Sequence, residues 1–209
     1  MEDYRTIRGT ATGEYEEKKS RFIAQLSFAD SEEKAVAFLE QVRAANRTAR
    51  HNVYAYRLRE GNRERYSDDG EPAKTAGTPA LEVLQHSGLT DLVVVITRYF
   101  GGVLLGTGGL VRAYSSAVKE GIDASKIGTM RYGVRLKIYT DYNGIGRIQY
   151  ILRQNGLEAE DTVYTDQVEL TVLLAAECVP GLKKEITEAT AAKAGIEEVE
   201  KLYFVAPDA

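Results

Sequence analysis

The clearest pattern of hydrophobic and polar residues lies in the later part of the chain. Apolar residues alternate with polar ones where strands are expected, and recur at every third or fourth position where helices are expected. The pattern predicts strand 133–140, helix 142–154, strands 157–164 and 167–175, helix 180–193 and strand 199–205. A β-α-β-β-α-β order is that of the ferredoxin-like sandwich, in which two helices cover one sheet face.

The earlier part of the chain has a less regular pattern, which begins with strand periodicity. We expect a β-hairpin formed by residues 4–12 and 14–28, with its turn at Gly13. A helix follows from the N-cap residue Asp30 to Ala45, because apolar residues recur there at helical spacing. The stripe that this helix should bury consists of Val36, Leu39 and Val42.

Further elements are predicted beyond this first helix. Thr78 followed by Pro79 is typical of a helix start, because threonine can cap the helix and proline suits its first turn. A near-continuous apolar run predicts a strand that is buried on both faces. In order, these elements are strand 52–58, a charged loop to Thr78, helix 78–85, strand 92–100 and helix 108–125.

These elements predict an α+β protein with two domains, residues 1–128 and residues 133–205. The whole chain of 209 residues has a net charge of -4, but the charge is divided unevenly. Residues 1–150 are slightly basic, whereas the remainder is strongly acidic. This asymmetry indicates two units with different surfaces, and it allows a local basic patch on the first unit.

Composition excludes several classes of protein. Cys178 is the single cysteine, so no intramolecular disulfide can form. The chain starts without the apolar core of a signal peptide, and its apolar runs are far shorter than the about 20 residues of a membrane span. We therefore expect a cytoplasmic protein that does not associate with membranes.

A glycine-rich segment follows the apolar strand that ends near Arg98. It places backbone N–H groups at the start of a helix, and Arg98 and Arg112 flank it. Such a segment can bind an anion, because free N–H groups and the helix dipole both favour negative charge. The alternative is a tight turn whose glycines only permit close packing. The glycines are Gly101, Gly102, Gly106, Gly108 and Gly109.

Three carboxylates, those of Asp68, Asp69 and Glu71, lie close together in the charged loop. Asp-Asp-Gly followed by Glu-Pro is typical of a turn, which is the simpler interpretation. The same carboxylates could hold Mg²⁺, or act as acid and base beside a bound phosphate. We therefore expect them to shape the rim of a site or to bind Mg²⁺.

The strand near residue 52 combines tyrosines with neighbouring arginines. Its period of two places His51 on one face and the tyrosines on the other. Arginines interleaved with aromatic rings suit RNA, because guanidinium groups pair with phosphates and rings stack on bases. A half-buried strand with solvated arginines is the alternative. The candidate RNA-contacting residues here and on the apolar strand are His51, Tyr54, Tyr56 and Tyr99.

Taken together, these segments resemble the IMPACT/YigZ family. The matching strings are HNVYAY from His51, DDGEP from Asp68, TAGTP from Thr75, TRYFGG from Thr97 and LGTGGLVRAY from Leu105. Their order and spacing agree with the family throughout the first unit. The second unit is similar to the small ferredoxin-like domain of bacterial members, so the resemblance covers nearly the whole chain.

The resemblance implies a first domain with a left-handed β-α-β fold, similar to the second domain of a ribosomal protein. The resemblance also implies that the two domains are similar to the last two domains of the translocation elongation factor. It further implies that the first domain is similar to GHMP-type kinases. Two consecutive folds of this kind suggest a module that faces RNA or the ribosome. Eukaryotic members are linked to translational control under amino-acid starvation, but they carry a different second domain.

Two hypotheses about function follow. The preferred one is a non-enzymatic binding module without a cofactor, which contacts RNA, the ribosome or a translation-associated protein and regulates translation or a stress response. Arginines would neutralise phosphates, and the glycine amides would donate hydrogen bonds. The alternative is a nucleotide- or phosphate-dependent enzyme that uses the glycine-rich loop. No phosphate-loop lysine follows the glycines, and the spacing identifies no pair of nucleophile and base.

Overall fold

The computed structural model describes residues 2–206 of the chain. It divides into two compact units. The N-terminal unit comprises residues 4–129, and the C-terminal unit comprises residues 130–206 together with residues 2 and 3. Helices and antiparallel sheets occur in the same chain, so the predicted α+β class is confirmed.

The N-terminal unit is built around a five-stranded sheet. Its elements are β1 (Tyr4–Ile7), β2 (Thr10–Glu17), β3 (Ser20–Phe28), α1 (Glu32–Ala45), β4 (His51–Leu58), β5 (Arg63–Ser67), α2 (Gly77–Ser87), β6 (Leu92–Tyr99) and α3 (Gly106–Asp123). The strand order is β2-β3-β6-β4-β5, and all neighbours are antiparallel. Because β3 and β4 both run antiparallel to β6, they are parallel to each other, and α1 connects them in a β-α-β unit.

The central strand β6 is buried on both faces of this sheet. Helices α2 and α3 cover one face, the α2–α3 face, where they pack on side chains such as Phe22, Val94 and Ile96. Helix α1 covers the other, the α1 face, over Val93 and Val95. Double coverage explains why β6 has a continuous apolar sequence instead of an alternating one.

The predicted hairpin turn at Gly13 is wrong. Strands β2 and β3 are joined at Lys18 and Lys19, which have φ angles of 47° and 64°. Two consecutive positive φ angles are the requirement of a type I′ turn, one of the two favoured two-residue hairpin turns. Gly13 lies inside β2, where a Cβ atom would overlap the backbone of Gly121 in α3. This glycine permits a close approach between strand and helix, a role that its sequence neighbours do not reveal.

The predicted cap and buried stripe of the first helix also need correction. The N-cap of α1 is Ser31, whose hydroxyl accepts a hydrogen bond from the Lys34 N–H, and not Asp30. Val36 is 44% exposed, and Ala35 is buried in its place. The predicted stripe was therefore misplaced at its first position. The buried residues of α1 are Ala35, Leu39 and Val42.

The predicted loop before Thr78 contains strand β5, and α2 begins at Gly77 rather than at Thr78. Thr78 does not cap this helix. The Asp68 carboxylate instead accepts hydrogen bonds from the N–H groups of Ala76 and Gly77. A residue distant in sequence thus satisfies donors that are free at a helix start. Helix α3 begins at Gly106, two residues before its predicted start.

The C-terminal unit has the predicted ferredoxin-like order. Its elements are β7 (Ile127–Thr140), α4 (Ile145–Gln154), β8 (Ala159–Tyr164), β9 (Val168–Ala175), α5 (Val179–Ala189) and β10 (Gly195–Val205). The ladders β10–β7, β7–β9 and β9–β8 are all antiparallel, which gives the order β10-β7-β9-β8. Side chains of α4, α5 and one sheet face form a single apolar core. The last helix ends at Ala189, before its predicted end at residue 193.

The other face of this sheet carries paired charges. Arg135 forms ion pairs with Glu160 and Glu200, and Lys137 pairs with Glu169 at 2.6 Å. Successive side chains of β7 point to opposite faces of the sheet. Val134, Leu136 and Ile138 are buried against the helices, so Arg135 and Lys137 point to the other face. The face opposite the helices is therefore polar.

We expect the Lys18→Asn, Lys19→Gly double variant to unfold at higher urea concentration than the parent chain. Lysine is strained at positive φ, whereas asparagine and glycine tolerate it. The double variant should therefore raise the free energy of unfolding by about 1 kcal/mol. Urea unfolding followed by circular dichroism measures it. The control Lys183→Asn, Lys184→Gly places the same residues inside α5 and should lower stability. Equal destabilisation of both variants would contradict the assignment of the turn.

Candidate anion-binding cleft

A cleft of about 460 Å³ opens where three segments of the N-terminal unit meet. The β4–β6 register places His51 opposite Arg98. The loop after β5 and the start of α3 complete the walls. Some of its lining residues are exposed, such as Arg50, Phe100 and Thr107, and others are buried, such as Glu71, Arg98 and Leu110. The lining residues are Arg50, His51, Glu71, Pro72, Arg98, Phe100, Leu104, Leu105, Gly106, Thr107 and Leu110.

Arg98 is a buried residue of the cleft lining, with 8% of its side chain exposed. Its Nη1 donates to Glu71 Oε1 at 2.6 Å, and the Tyr114 hydroxyl donates to the same oxygen at 2.8 Å. Burial, followed by the Glu71 charge, raises the pKa of Tyr114 far above its usual value, so the phenol stays a donor. The expectation that Arg98 is free to neutralise a phosphate therefore needs correction, because a carboxylate already pairs with it.

Two aromatic rings hold the Arg98 guanidinium group in place. Its Cζ lies 5.4 Å from the centroid of Phe22 and 5.6 Å from that of Phe100, within the range of cation–π contact. In the described part of the chain, the buried Arg98 Nε has no hydrogen-bond partner. Arg98 is thus fixed in position while part of its donor capacity remains unused.

Arg112 lies in a different position from Arg98. It is exposed on α3 and does not line the cleft. A Cβ atom on Gly108 would lie 3.7 Å from Arg112 Nη1, so this guanidinium group extends beside the first turn of its own helix. The two flanking arginines of the sequence therefore separate into one buried ion pair and one exposed cation.

The start of α3 supplies free backbone donors to the cleft. Its N-cap residue is Leu105, and within the described residues no side chain caps it. Gly106, Thr107 and Gly108 are exposed, and the first turn contains no acidic residue. The first N–H groups of a helix lack partners within the helix and lie at the positive end of its dipole. This end of α3 therefore favours a negatively charged group.

The glycines of the loop have two different structural roles. A Cβ at Gly101 would overlap the backbone of Lys19, and the Gly101 N–H donates to Ser20 Oγ at 3.0 Å. Gly109 is likewise packed, against Leu105. Gly102 and Gly106 have φ angles of 88° and 72°, which other residues rarely adopt. Some of these glycines therefore serve close packing and others shape an exposed loop, while binding of an anion by the loop stays a prediction.

His51 faces the cleft in a defined tautomer. Its Nδ1 lies 2.8 Å from the carbonyl oxygen of Asp69. Because a carbonyl oxygen only accepts, Nδ1 must carry the hydrogen. This contact orients the ring, and no hydrogen bond of Nε2 occurs among the described residues. Arg50, the residue before it, is an exposed residue of the cleft lining and forms no ion pair within residues 2–206.

The three candidate stacking tyrosines do not belong to this cleft. Tyr54 and Tyr56 pack on the α1 face, with their rings stacked at 6.2 Å. The buried Tyr56 hydroxyl donates to Glu32 at 2.7 Å, and the Tyr99 hydroxyl donates to Asn46 at 2.9 Å. The period of two separates Tyr54 and Tyr56 from His51 as predicted, and it places them on the α1 face, away from the cleft.

Asp68 and Asp69 serve the loop that contains them. Besides the start of α2, Asp68 accepts the N–H of Lys74 at 2.8 Å. Asp69, with a φ angle of 44°, accepts the N–H of Asn52 at 2.6 Å and pairs with Arg43 at 3.2 Å. The possible Mg²⁺ role of these carboxylates gains no support from these contacts. Across residues 2–206, no group of three or more His, Cys, Asp or Glu side chains could hold a metal ion.

Phe100 and Thr107 are cleft residues that the candidate set omitted. Phe100 is 49% exposed beside Arg98, and Thr107 lies in the first turn of α3. Both residues lie inside the glycine-rich segment. Their closeness in sequence to Arg98 and to the helix start could have identified them as candidates. Arg50 is one of the arginines that neighbour the tyrosine-containing strand β4, but it was not a candidate residue either.

The fold and the cleft define a two-unit α+β protein with an anion-attracting helix start in its first unit. The family model of the Impact N-terminal domain matches residues 18–122. The model of a domain of unknown function, DUF1949, matches residues 138–193. The chain belongs to the IMPACT family.

Relatives that carry the family name match either nearly the whole chain or part of it. IMPACT family member YvyE of Bacillus subtilis is 35% identical over 98% of this chain and 94% of its own length. IMPACT family member YigZ of Escherichia coli is 44% identical over 58% of this chain and 61% of its own length. Protein IMPACT homolog of Dictyostelium discoideum is 40% identical over 43% of this chain and 27% of its own length.

A solved structure supports the fold across both units. A crystal structure described as that of a hypothetical protein has a TM-score of 0.64 and 33% identity, covering 96% of this chain and 98% of its own. In residues 2–206, no helix combines the length and the apolar character needed to cross a membrane.

Gly101→Ala and Gly108→Ala should differ sharply in stability. A methyl group at Gly101 overlaps the Lys19 backbone, and overpacking of this kind costs about 1–3 kcal/mol. At Gly108 the atom nearest to the new methyl group is the flexible end of the Arg112 side chain. Gly108→Ala should therefore raise the free energy of unfolding by up to about 1 kcal/mol, because alanine has the higher helix propensity. Melting temperatures measure both. A Gly101→Ala protein that melts with the parent would contradict the packing role.

Glu71→Ala should be strongly destabilising, because it leaves the buried Arg98 guanidinium unpaired. Loss of one partner of a buried pair costs about 3–5 kcal/mol, and the double variant Arg98→Met, Glu71→Leu should recover most of it. Urea unfolding measures these values. Glu14→Ala is the control, because its ion pair with Arg21 is exposed and should contribute less than about 1 kcal/mol. A cost for Glu71→Ala no greater than that control would disprove the structural role of the pair.

Proposed function

We propose that this protein is a binding module that takes RNA at the cleft of its N-terminal unit. The observation that carries the proposal is the composition of the cleft lining. Arg50, His51 and the start of α3 contribute donors, while the acid present, Glu71, is already paired with Arg98. Phosphate groups dominate the affinity of proteins for nucleic acids, and such a lining attracts them.

Exposed cations on either side of the cleft extend this surface. Arg50 is an exposed residue of the cleft lining, and Arg112 lies beside the first turn of α3. Neither forms an ion pair within the part of the chain described. Exposed arginines without acidic partners keep their full charge for a ligand. They can therefore contact successive phosphates of a strand that passes the cleft.

The ring expected to stack on a base is Phe100. It is half-exposed, and one side already covers the Arg98 guanidinium group. A base that stacks on a protein ring needs an accessible face, and Phe100 is more exposed than the half-buried Tyr54 and the buried Tyr56. Leu104, 83% exposed, and the buried Leu110 add apolar surface near this ring. Binding of ribosomal RNA would agree with the role in translation that the family resemblance implies.

The Arg50→Ala, Arg112→Ala double variant should bind a single-stranded oligoribonucleotide about tenfold more weakly at physiological salt. Each lost phosphate contact on a single strand should reduce the slope of log K against log salt by about 0.7. Fluorescence anisotropy over a salt series measures both quantities. The change removes no buried contact, so the melting temperature should stay near that of the parent.

The matched control is Arg153→Ala, Lys184→Ala, which removes two exposed cations from the C-terminal unit. It should leave the affinity and the slope unchanged. An equal loss of affinity in both double variants would show that only net charge matters and would contradict a site at the cleft. Affinity that does not fall with salt would contradict phosphate recognition altogether.

A further inference from the structure

We infer that the turn formed by Lys18 and Lys19 is a second phosphate-contact element of the RNA site, which a single strand reaches from the cleft by crossing Phe100. The inference deepens the proposed function and rests on it. Three observations carry it: the position of the turn at one end of the sheet, the backbone conformation of its two lysines, and the charges that these lysines leave unpaired.

The turn and the cleft lie at the same end of the five-stranded sheet. Arg21, at the start of β3, is opposite Tyr99 at the end of β6. His51, at the start of β4, is opposite Arg98, the residue before Tyr99. Neighbouring strands are about 4.8 Å apart, so β3 and β4, on either side of β6, are separated by roughly 10 Å. Phosphates recur about every 3.4 Å along one strand of a nucleic-acid helix, so a few nucleotides cover this distance.

Backbone contacts join the turn to the loop that follows β6. The Gly101 N–H donates to Ser20 Oγ at 3.0 Å, and a Cβ atom on Gly101 would overlap the Lys19 backbone. Phe100, the residue before Gly101, is 49% exposed. The turn therefore has a fixed position close to the ring that we expect to stack on a base.

The two residues of the turn are not the ones that its backbone conformation favours. Lys18 and Lys19 both have positive φ angles, where asparagine followed by glycine is preferred. Strained residues of this kind concentrate at functional sites. The contacts with the Gly101 loop involve the Lys19 backbone and Ser20, so they do not require a lysine side chain. The two lysines are therefore better explained by a ligand of their ammonium groups than by the fold.

The charges of the turn are available to such a ligand. Lys18 and Lys19 are exposed, and neither forms an ion pair within residues 2–206. Arg50 is likewise exposed and without an ion pair in this part of the chain. The strand order places Lys18 and Lys19 on one side of Phe100 and Arg50 on the other. Cations that follow a backbone on both sides of a ring that stacks on bases are typical of single-strand binding.

The acidic residues of β2 do not pair with the lysines of the turn. The period of two places Glu14 and Glu16 on the α1 face, where Glu14 forms an ion pair with Arg21 at 2.6 Å. Glu17 lies on the α2–α3 face, but its half-buried carboxylate accepts a hydrogen bond from the Tyr15 hydroxyl at 3.1 Å. The acids of β2 therefore leave both ammonium groups to a ligand.

The test measures RNA binding by the Lys18→Asn, Lys19→Gly double variant of the full chain. This variant keeps the hairpin, removes both charges and should be more stable than the parent, so a loss of affinity cannot come from unfolding. We expect it to bind a fluorescein-labelled decauridylate about tenfold more weakly at physiological salt. The slope of log K against log salt should fall by up to about 1.4, which is about 0.7 for each phosphate contact. Fluorescence anisotropy over a salt series measures both quantities.

Two further double variants are the controls. Lys18→Arg, Lys19→Arg keeps both charges in the same turn and should bind the decauridylate as the parent does. Lys119→Ala, Lys126→Ala removes two exposed lysines towards and beyond the end of α3, which is the end opposite the glycine-rich loop. It should leave the affinity and the slope unchanged.

The outcomes separate this inference from the proposed function. Parent-like binding by Lys18→Asn, Lys19→Gly, together with weaker binding by Arg50→Ala, Arg112→Ala, overturns the inference and leaves the RNA site at the cleft standing. An equal loss in Lys119→Ala, Lys126→Ala overturns it too, because net charge then sets the affinity. So does an equal loss in the folded Lys18→Arg, Lys19→Arg protein, because the charges of the turn are then not what binds. Absence of binding by the parent chain overturns the inference and the proposed function together.

Discussion

The arrangement of the N-terminal unit depends on the interactions of the buried Glu71 carboxylate. It receives hydrogen bonds from Arg98 at the end of β6 and from Tyr114 in α3, and so joins a loop, a strand and a helix. A buried ion pair contributes little net stability, but breaking it leaves an uncompensated charge. The three segments are therefore held to one geometry, because every alternative would expose or orphan a charge.

The same pair also determines the character of the cleft. Since Glu71 is neutralised by Arg98, the remaining polar lining consists of Arg50, His51, Thr107 and the free amides of α3. Phe22 and Phe100 both contact the Arg98 guanidinium group, which holds it in place beside Glu71. A site for anions can thus exist in a protein whose net charge is -4, because a ligand responds to the local field.

Sequence patterns located most elements but misplaced several of their boundaries. The alternating and helical periods of the C-terminal unit gave its order of strands and helices, because each element there has one buried face. The turn predicted at Gly13 was wrong, because a glycine inside a strand and a glycine in a turn have similar sequence neighbours. The cap predicted at Thr78 was wrong for a different reason. The cap of α2 comes from Asp68, which is distant in sequence, and no local pattern reveals such a partner.

The sequence by itself determined the α+β class, the family resemblance and the segments that carry chemistry, because periodicity and short motifs are local properties. Only the tertiary structure decided how those residues are used. It buried Arg98 against Glu71, left Arg112 exposed, and turned Tyr54 and Tyr56 towards α1. Whether an arginine or a tyrosine is free depends on what packs across from it, and this is decided by contacts between segments far apart in the chain.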